Sequence, residues 1–201
     1  MSDGDSIEVW DDISGEGNNA MQTEEVNQPI YKTNVLNGKS VVRFDGSNTR
    51  LKTNTFTELP QPMTVFIVWE TYADGTRFAF DGPTRLSLFQ GTQGGENIVF
   101  HAGNVISYDR SLPFNALINT VIFNGSESKI WENGENKTSG DAGDSGLERL
   151  LIGSRHGKTH HLDGDVAEIL IFNSELSESE REEIEQYLDI KWLQAPGNSF
   201  Q

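Results

Sequence analysis

Cysteine is absent from the 201 residues of the sequence. Disulfide bonds, thiolate metal sites, iron–sulfur clusters and a catalytic thiol are therefore excluded. Basic residues are also few, because 15 Lys and Arg stand against 31 Asp and Glu and give a formal net charge of −16. Proteins bind the phosphates of nucleic acids through clustered Lys and Arg, and this acidic balance opposes such binding. We therefore expect no nucleic acid partner.

Long apolar runs are missing too. The longest, Val65–Trp69, falls far short of the roughly 20 residues that a membrane-spanning helix requires, so we expect no membrane insertion. The first residues, Met1–Asp5, are acidic and polar, unlike the basic and then apolar layout of a signal peptide. If the protein is exported, its signal is expected outside this chain.

Large apolar residues are nevertheless plentiful enough for a core, with 11 Phe and 4 Trp. Short runs rich in Val, Ile, Phe, Leu and Thr recur along the chain, and Gly, Asn, Asp and Pro separate them as turns. This rhythm predicts an all-β fold. The predicted strands are Ile7–Trp10, Val41–Phe44, Thr64–Glu70, Arg77–Phe80, Arg85–Phe89, Asn97–His101, Val105–Tyr108, Ala116–Phe123, Lys129–Trp131, Arg149–Ile152 and Val166–Phe172.

Two of these strands carry further local signals. Thr64–Glu70 is apolar on both faces, which predicts a central strand that is covered on each side. Asn133-Gly134 follows Lys129–Trp131, and this dipeptide readily takes the two positive φ angles of a type I′ turn. We predict a hairpin there and a second hairpin turn at Gly91–Gly95.

One helix is predicted near the end of the chain, over residues 177–193. Ser177 and Glu180 form a capping-box pattern, and Pro196 with Gly197 ends the helix. The residues that recur at helical spacing are Ile184, Tyr187, Leu188, Lys191 and Trp192. No internal repeat or linker interrupts the pattern, so we expect residues 1–201 to form a single domain.

Both ends of the sequence resemble one family. The matching stretches are Val9–Ala20, Gln28-Pro29, Leu36–Lys39 and Val42–Gly46 at the start, and Asp163–Asn173, Leu176-Ser177, Glu180-Arg181, Tyr187-Leu188 and Lys191-Trp192 at the end. They resemble the concanavalin A-like, laminin-G-like domains that are common in bacterial surface and secreted proteins. Residues 71–160 add only the looser match of the Asn133-Gly134 hairpin. A strand with Trp-Leu-Asp, usual in the family before the equivalent of Ile7, is missing.

The resemblance implies a jelly-roll sandwich of two antiparallel sheets, one of them concave, with loops at the rim and a C-terminal α-helix. The fold hosts lectins, glycan-binding modules, glycosidases, lyases and spacers, so it does not imply one activity. It also implies a structural calcium ion, able to bridge to a ligand, near the junction of the early and final strands at Asp45 with Asp163 or Asp165. Asp-Gly loops supply the oxygens that calcium prefers, although the same loops are ordinary turn chemistry.

Four residues are candidates for ligand binding. Tyr108 and Trp131 lie beside turns, where a flat ring can stack on the apolar face of a sugar, and both also fit a buried core position. Arg155 and His156 begin a His-rich loop before the last strand, where they can hydrogen-bond a ligand at the rim. The alternatives for this loop are an ordinary exposed loop and a zinc site at His156 and His160.

No catalytic residue is assigned. Asp163–Glu168 has the Glu-x-Asp-x-x-Glu spacing of related glycosidases, but its first residue is one carbon too short and Gly164 replaces an apolar residue. We therefore expect a non-catalytic, lectin-like carbohydrate-binding module of an extracellular or cell-surface protein, with glycans or polysaccharide as partners. A structural or attachment module that binds another protein chain, such as a surface spacer or a virion decoration protein, is the alternative. A glycosidase or lyase ranks third.

Overall fold

Two antiparallel β-sheets packed face to face form the fold, as the family resemblance implies. The structure is a computed structural model that describes residues 1–83, 86–91 and 96–194. One sheet has eight strands and the other has seven, and an α-helix follows the last strand of the described chain. The result is an all-β jelly-roll sandwich with a C-terminal helix.

The eight-stranded sheet contains mainly short strands and forms one wall of the core. Every pairing between its neighbouring strands is antiparallel. The order across the sheet is β1 (Val9–Trp10), β2 (Ala20–Met21), β5 (Leu51–Thr53), β14 (Leu151–Ile152), β7 (Arg77–Asp81), β8 (Leu86–Gly91), β9 (Asn97–Ala102) and β10 (Val105–Asp109).

The seven-stranded sheet forms the opposite wall and contains the longer strands. The order across it is β13 (Glu135–Gly140), β12 (Ser128–Glu132), β11 (Leu117–Phe123), β6 (Met63–Thr71), β15 (Asp163–Phe172), β4 (Lys39–Asp45) and β3 (Ile30–Leu36). The predicted central strand, β6, does lie in the middle of this sheet, between β11 and β15.

Strand alternation places one set of large apolar side chains between the two sheets. Trp69 and Phe123 enter this core from the seven-stranded sheet, and Phe80 and Phe100 enter it from the eight-stranded sheet. All four are buried, and Trp10 packs against the cluster in a partly buried position. Burying one such side chain contributes about 1.5–3 kcal/mol, so this cluster holds the sheets together.

The C-terminal helix covers the outer face of the seven-stranded sheet. Helix α1 (Glu178–Leu188) continues into a π-helical segment, Asp189–Leu193, and the two together match the predicted helix. Ser177 and Glu180 form the predicted capping box, because each side chain accepts a hydrogen bond from the other residue's backbone N–H. A second apolar cluster lies between the helix and the sheet, and it includes Val41, Phe66, Val68, Ile118, Leu188 and Trp192.

The predicted hairpin at Asn133-Gly134 is confirmed. The two residues stand between β12 and β13, and their φ angles are 49° and 82°. Two short 3-10 turns, Glu25–Asn27 and Gly125–Glu127, are the other helical segments of the described chain.

Several strand bounds differ from the sequence pattern. The predicted strands Ile7–Trp10 and Arg149–Ile152 pair only over their last two residues, and β2, β3 and β5 were not predicted because strict apolar alternation is missing there. Arg85, positions 92–95 of the predicted turn, and the helix stop at Pro196 and Gly197 lie outside the described residues. Within the described ranges, no helix is long and apolar enough to cross a membrane.

Candidate functional site

A row of polar side chains crosses the outer face of the eight-stranded sheet. Asp81 on β7 pairs with Ser87 on β8, and Ser87 pairs with His101 on β9. Successive side chains of a strand point to opposite faces. The residues beside this row point into the core between the sheets, namely Phe80, Leu88 and Phe100. The row therefore faces away from the core and lies on the sheet that α1 does not cover.

The carboxylate of Asp81 is buried although it faces outwards, since only 5% of the residue is exposed. Its Oδ2 accepts a hydrogen bond from the backbone N–H of His156 at 2.7 Å. Burial raises the pKa of this carboxyl, and the backbone N–H groups of His156 and Gly82 offset only part of that effect. Asp81 is thus a fixed group whose remaining lone pairs can accept hydrogen bonds from hydroxyl groups.

Two stacked phenylalanine rings lie beside the polar row. The ring centroids of Phe78 on β7 and Phe89 on β8 are 4.3 Å apart, and their planes are 12° from parallel. Phe78 is buried, whereas Phe89 is half-buried. The guanidinium of Arg155 lies 5.9 Å from the Phe78 ring centroid, and the backbone N–H of Phe78 donates to the carbonyl of His160 at 3.1 Å. The two rings form a fixed apolar surface next to hydrogen-bonding groups.

Residues 153–162 form a loop, here called the connecting loop, that links β14 of one sheet to β15 of the other. The backbone N–H of Arg155 donates to the carbonyl of Thr159 at 2.9 Å, and that of Lys158 donates to the carbonyl of Arg155 at 3.0 Å. The loop therefore folds back on itself. The bond from His156 to Asp81 fixes it at the end of β7.

We refer to Asp81, Ser87, Phe89, Arg155 and His156 as the sheet-face site. It combines the half-buried ring of Phe89 and the exposed side chains of Arg155 and His156 with the buried carboxylate of Asp81 and the buried hydroxyl of Ser87. Sugars have apolar C–H faces and hydroxyl edges, so such a set can stack on the first and hydrogen-bond the second. Two of the four predicted ligand residues, Arg155 and His156, belong to it.

Tyr108 lies elsewhere, on the inner face of β10, and is buried. Its hydroxyl donates to Glu132 at 2.8 Å and accepts a hydrogen bond from the Asn119 amide at 3.0 Å. The oxygen of Asn119 accepts in turn from the Trp69 indole at 2.9 Å, which explains why a polar residue interrupts the apolar face of β11. Burial raises the pKa of Tyr108. Its ring is part of the core and presents no face to a sugar.

Trp131 is also covered, because it lies on the outer face of β12 beneath α1. The guanidinium of Arg181 lies 4.7 Å from its ring centroid, and 9% of the residue is exposed. Arg181 pairs with the buried Glu185, which also accepts a hydrogen bond from the Thr120 hydroxyl at 2.6 Å. For both aromatic candidates the structure thus agrees with the buried alternative and not with a sugar-stacking position.

Two of the predicted metal residues meet at the junction of β4 and β15. Asp45 and Asp163 are direct cross-strand partners. Oδ1 of Asp45 accepts hydrogen bonds from the backbone N–H groups of Ser47, Asn48 and Thr49 at 2.9, 3.2 and 3.2 Å, and from the Thr49 hydroxyl at 2.8 Å. Partial burial opposes ionisation of Asp45, but these bonds outweigh it and lower its pKa. Asp45 therefore stabilises its own turn.

The third predicted metal residue, Asp165, is fully buried and ion-paired. Arg43 on β4 donates from Nε to Oδ1 at 2.8 Å and from Nη2 to Oδ2 at 2.7 Å. Nη2 also donates to the Tyr72 hydroxyl, which lies 2.7 Å from carboxylate oxygens of both Glu70 and Asp165. Burial raises the pKa of Glu70, and the nearby Asp165 raises it further.

These contacts limit what metal the junction can hold. Within residues 1–83, 86–91 and 96–194, no three His, Asp or Glu side chains are grouped so that they could hold one ion. Asp165 is neutralised by Arg43, which leaves Asp163 and the second oxygen of Asp45 as the carboxylate oxygens for a cation there. Calcium at the junction stays a prediction, and so does zinc at His156 and His160.

Two of the three carboxylates in the glycosidase-like spacing have structural partners. Glu168 accepts a hydrogen bond from Lys191 Nζ at 3.0 Å and another from the indole N–H of Trp192. Asp165 is paired with Arg43, so two of the three acids of this stretch have structural partners, and the third, Asp163, is the cross-strand neighbour of Asp45. The two ion pairs attach β15 to its neighbour strand and to the π-helical segment.

The sequence pattern did not point to Asp81, Ser87 or Phe89 as glycan-binding residues. Alternation within the predicted strand Arg85–Phe89 places Ser87 and Phe89 on one face. It does not place Phe78 opposite Phe80, because a register shift between these two residues of β7 breaks the alternation, and Asp81 lies beyond the predicted strand Arg77–Phe80. The order of the strands across the sheet was not available from the sequence. That order brings β7, β8 and the connecting loop together.

No protein-family model matches the chain, and no curated protein matches it either. Solved structures do match. The binding domain of Paraclostridial Mosquitocidal Protein 1 superposes with a TM-score of 0.65 at 12% identity, over 92% of this chain and 51% of that one. Trypanosoma rangeli sialidase, in complex with the inhibitor DANA, gives 0.63 at 13% identity over 92% and 31%. The botulinum neurotoxin serotype D binding domain gives 0.57 at 11% identity over 84% and 50%.

Identities this low show the fold alone. The chain spans about half the length of the two binding domains and about a third of the sialidase. The neighbours are compatible with the lectin-like fold that the sequence resembles. This chain therefore shares the β-sandwich fold of these proteins.

Proposed function

We propose that this chain is a non-catalytic, lectin-like carbohydrate-binding module whose ligand occupies the sheet-face site. One observation carries the proposal. The half-buried ring of Phe89, stacked on Phe78, lies on the same sheet face as the fixed carboxylate of Asp81. In the part of the chain that the structure describes, no helix covers that face.

Each residue of the site has a distinct task in this proposal. Phe89 stacks against the C–H face of one sugar ring, an aromatic contact of about 0.5–1.5 kcal/mol. Asp81 accepts hydrogen bonds from sugar hydroxyls, and its position is fixed before binding, which reduces the entropic cost. Arg155 and His156 donate from the connecting loop above.

The absence of catalysis is part of the proposal and rests on the carboxylates. Glycoside hydrolysis uses two carboxyl groups on either side of the scissile bond, and the sheet-face site as defined has one, Asp81. Asp165 and Glu168, which match the glycosidase spacing, are held by Arg43 and Lys191. A glycosidase or lyase therefore ranks below a binding module.

An extracellular or cell-surface location follows from the proposed partner. The net charge of −16 also suits saline or calcium-containing surroundings, where ions screen the repulsion between carboxylates. Two of the named neighbours are binding domains, which is in keeping with a module of this kind. A virion surface is the alternative location.

A glycan array followed by calorimetry on the full chain tests the proposal. Phe89→Ala should weaken binding of the selected glycan about tenfold, because the stacking surface is lost. Tyr187→Ala, which removes an aromatic ring that is 48% exposed on α1, is the matched control and should leave affinity unchanged. Failure to bind any glycan class, or equal losses in both variants, would overturn the proposal.

A second candidate function is attachment to another protein chain, and one observation favours it. Tyr187 and Ile190 lie three positions apart at the end of the helical region and are 48% and 55% exposed. Light scattering of the chain and of Tyr187→Ser tests this candidate. A dimer that is lost in the variant would support attachment, and a clean monomer that binds glycan would count against it.

A further inference from the structure

The connecting loop concentrates positive charge in an acidic protein. Residues 155–160 are all exposed, and four of these six side chains are basic, namely Arg155, His156, Lys158 and His160. No acid occurs between Arg149 and Asp163, although acids outnumber Lys and Arg 31 to 15 over the whole sequence. Within the described ranges, neither Arg155 nor Lys158 has an ion-pair partner.

The backbone of this loop adopts conformations that L-residues rarely take. Gly157, Lys158 and His160 have φ angles of 99°, 62° and 54°. Only a few per cent of residues other than glycine have positive φ, and such strain is concentrated at functional sites. Two such residues in a loop of this length indicate that the side-chain positions are held at a cost in backbone energy.

Hydrogen bonds fix the loop relative to the sheet-face site. The backbone N–H of His156 donates to Asp81, and the carbonyl of His160 accepts from the N–H of Phe78. Both partners are on β7, which carries one end of the polar row. The basic residues therefore lie on a backbone that is fixed at the edge of the sheet-face site.

The positive charge of the connecting loop affects how closely an anionic saccharide can approach the sheet-face site. An anionic chain is repelled by a protein of net charge −16, but at physiological salt the repulsion is screened beyond about 8 Å. The exposed charged side chains of the connecting loop are those of Arg155 and Lys158, and the acid that the loop contacts, Asp81, is buried. The guanidinium of Arg155 offers paired N–H donors that match a carboxylate or sulfate, and the Lys158 ammonium offers a point charge.

We infer that the sheet-face site takes an acidic saccharide, and that Arg155 and Lys158 bind its carboxylate or sulfate group. The inference rests on the proposed function and names its ligand class. The sugar ring stacks on Phe89 and its hydroxyls reach Asp81, while the anionic substituent points towards the connecting loop. Neutral sugars of the same length lack this last contact.

The test measures binding of the full chain to three immobilised oligosaccharides of equal length: a neutral glucan, a polyuronate and a sulfated glycan. We expect at least tenfold tighter binding to one or both acidic ligands, and a loss of affinity as salt rises from 50 to 300 mM. The polyuronate and sulfated arms distinguish carboxylate from sulfate recognition.

Two double variants with equal charge loss complete the test. Arg155→Gln/Lys158→Gln should reduce acidic-glycan binding about tenfold or more and weaken neutral-glycan binding far less, because a neutral glycan loses only the hydrogen bond that Arg155 donates to a hydroxyl. Lys39→Gln/Lys129→Gln, on the opposite sheet, should change neither. If neutral and acidic glycans bind equally and the loop variant behaves as the control, the inference is overturned and the binding module stands. If no glycan binds, the proposed function is overturned with it.

Discussion

Asp165 and Arg43 form a two-point ion pair between neighbouring strands, although 122 residues separate them in the sequence. The Asp165 side chain is fully buried, while that of Arg43 is 32% exposed. Nε and Nη2 of Arg43 contact different oxygens of the same carboxylate, a geometry that a lysine cannot reproduce. The hydrogen bonding to Asp165 raises the pKa of Arg43.

Removing this guanidinium should destabilise the protein. Arg43→Ala leaves a buried carboxylate without its counterion, and we expect the free energy of unfolding to fall by about 3 kcal/mol. Lys32→Ala is the control, because it breaks an exposed pair with Asp3 that is worth less than about 1 kcal/mol. Urea unfolding followed by tryptophan fluorescence compares the two variants. Equal losses would contradict a structural role for the buried pair.

Asp81 should make stability depend on pH. Burial raises its pKa in the folded protein above the ordinary value of 3.8, so the folded state favours the protonated acid. That contribution is present below pH 3.8 and is lost as pH rises through the folded pKa. Asp81→Asn should therefore be more stable than the natural chain at neutral pH, and the difference should shrink on acidification.

The measurement for Asp81 is thermal unfolding at several pH values between 3.5 and 7.5. Asp109→Asn removes one exposed acid from the same sheet and serves as the control for loss of charge. A stability difference for Asp81→Asn that does not vary with pH would show that burial of the carboxylate is not its cause.

Calcium, if it binds at the junction of β4 and β15, should raise the melting temperature. A ligand that binds only the folded state adds about 2.7 kcal/mol at a hundredfold excess over its Kd, or roughly 5–10 °C for a domain of this size. The rise should disappear in Asp163→Ala. Magnesium and sodium at matched ionic strength control for screening of the net charge. A melting curve that neither calcium nor EDTA moves would contradict the predicted ion.

The capping box of α1 should contribute measurably to stability. Ser177→Ala leaves the backbone N–H of Glu180 without its acceptor, and we expect a loss of about 1 kcal/mol. Ser179→Ala lies inside the same helix and is also exposed, so it should be neutral or slightly stabilising. Chemical unfolding of both variants gives the comparison, and the prediction is wrong if they are equally stable.

Local chemistry was enough to predict some elements from the sequence. Asn133-Gly134 selects its own turn because both residues tolerate positive φ, and Ser177 with Glu180 selects a helix start. Both signals act over fewer than five residues and need no knowledge of the rest of the fold. The central position of β6 could also be predicted from the sequence, because a strand that is apolar on both faces must be covered on both sides.

The candidate site was harder to predict from the sequence, because it depends on contacts between residues that are far apart in the chain. Trp131 is covered by Arg181, which comes from the helix, and Asp165 is neutralised by Arg43 from an early strand. Neither partner is visible in a local pattern. The sheet-face site likewise exists only because β7 and β8 are neighbours and the connecting loop returns to Asp81.

The connecting loop also has a mechanical consequence. It leads directly into β15, and β15 lies between β6 and β4 with antiparallel pairing to both. A tethered ligand that pulls on Arg155 would therefore transmit its force to an inner strand and not to an edge. The hydrogen bonds on both sides of β15 would share that force. We therefore expect the edge strands to stay paired while a bound ligand is under tension.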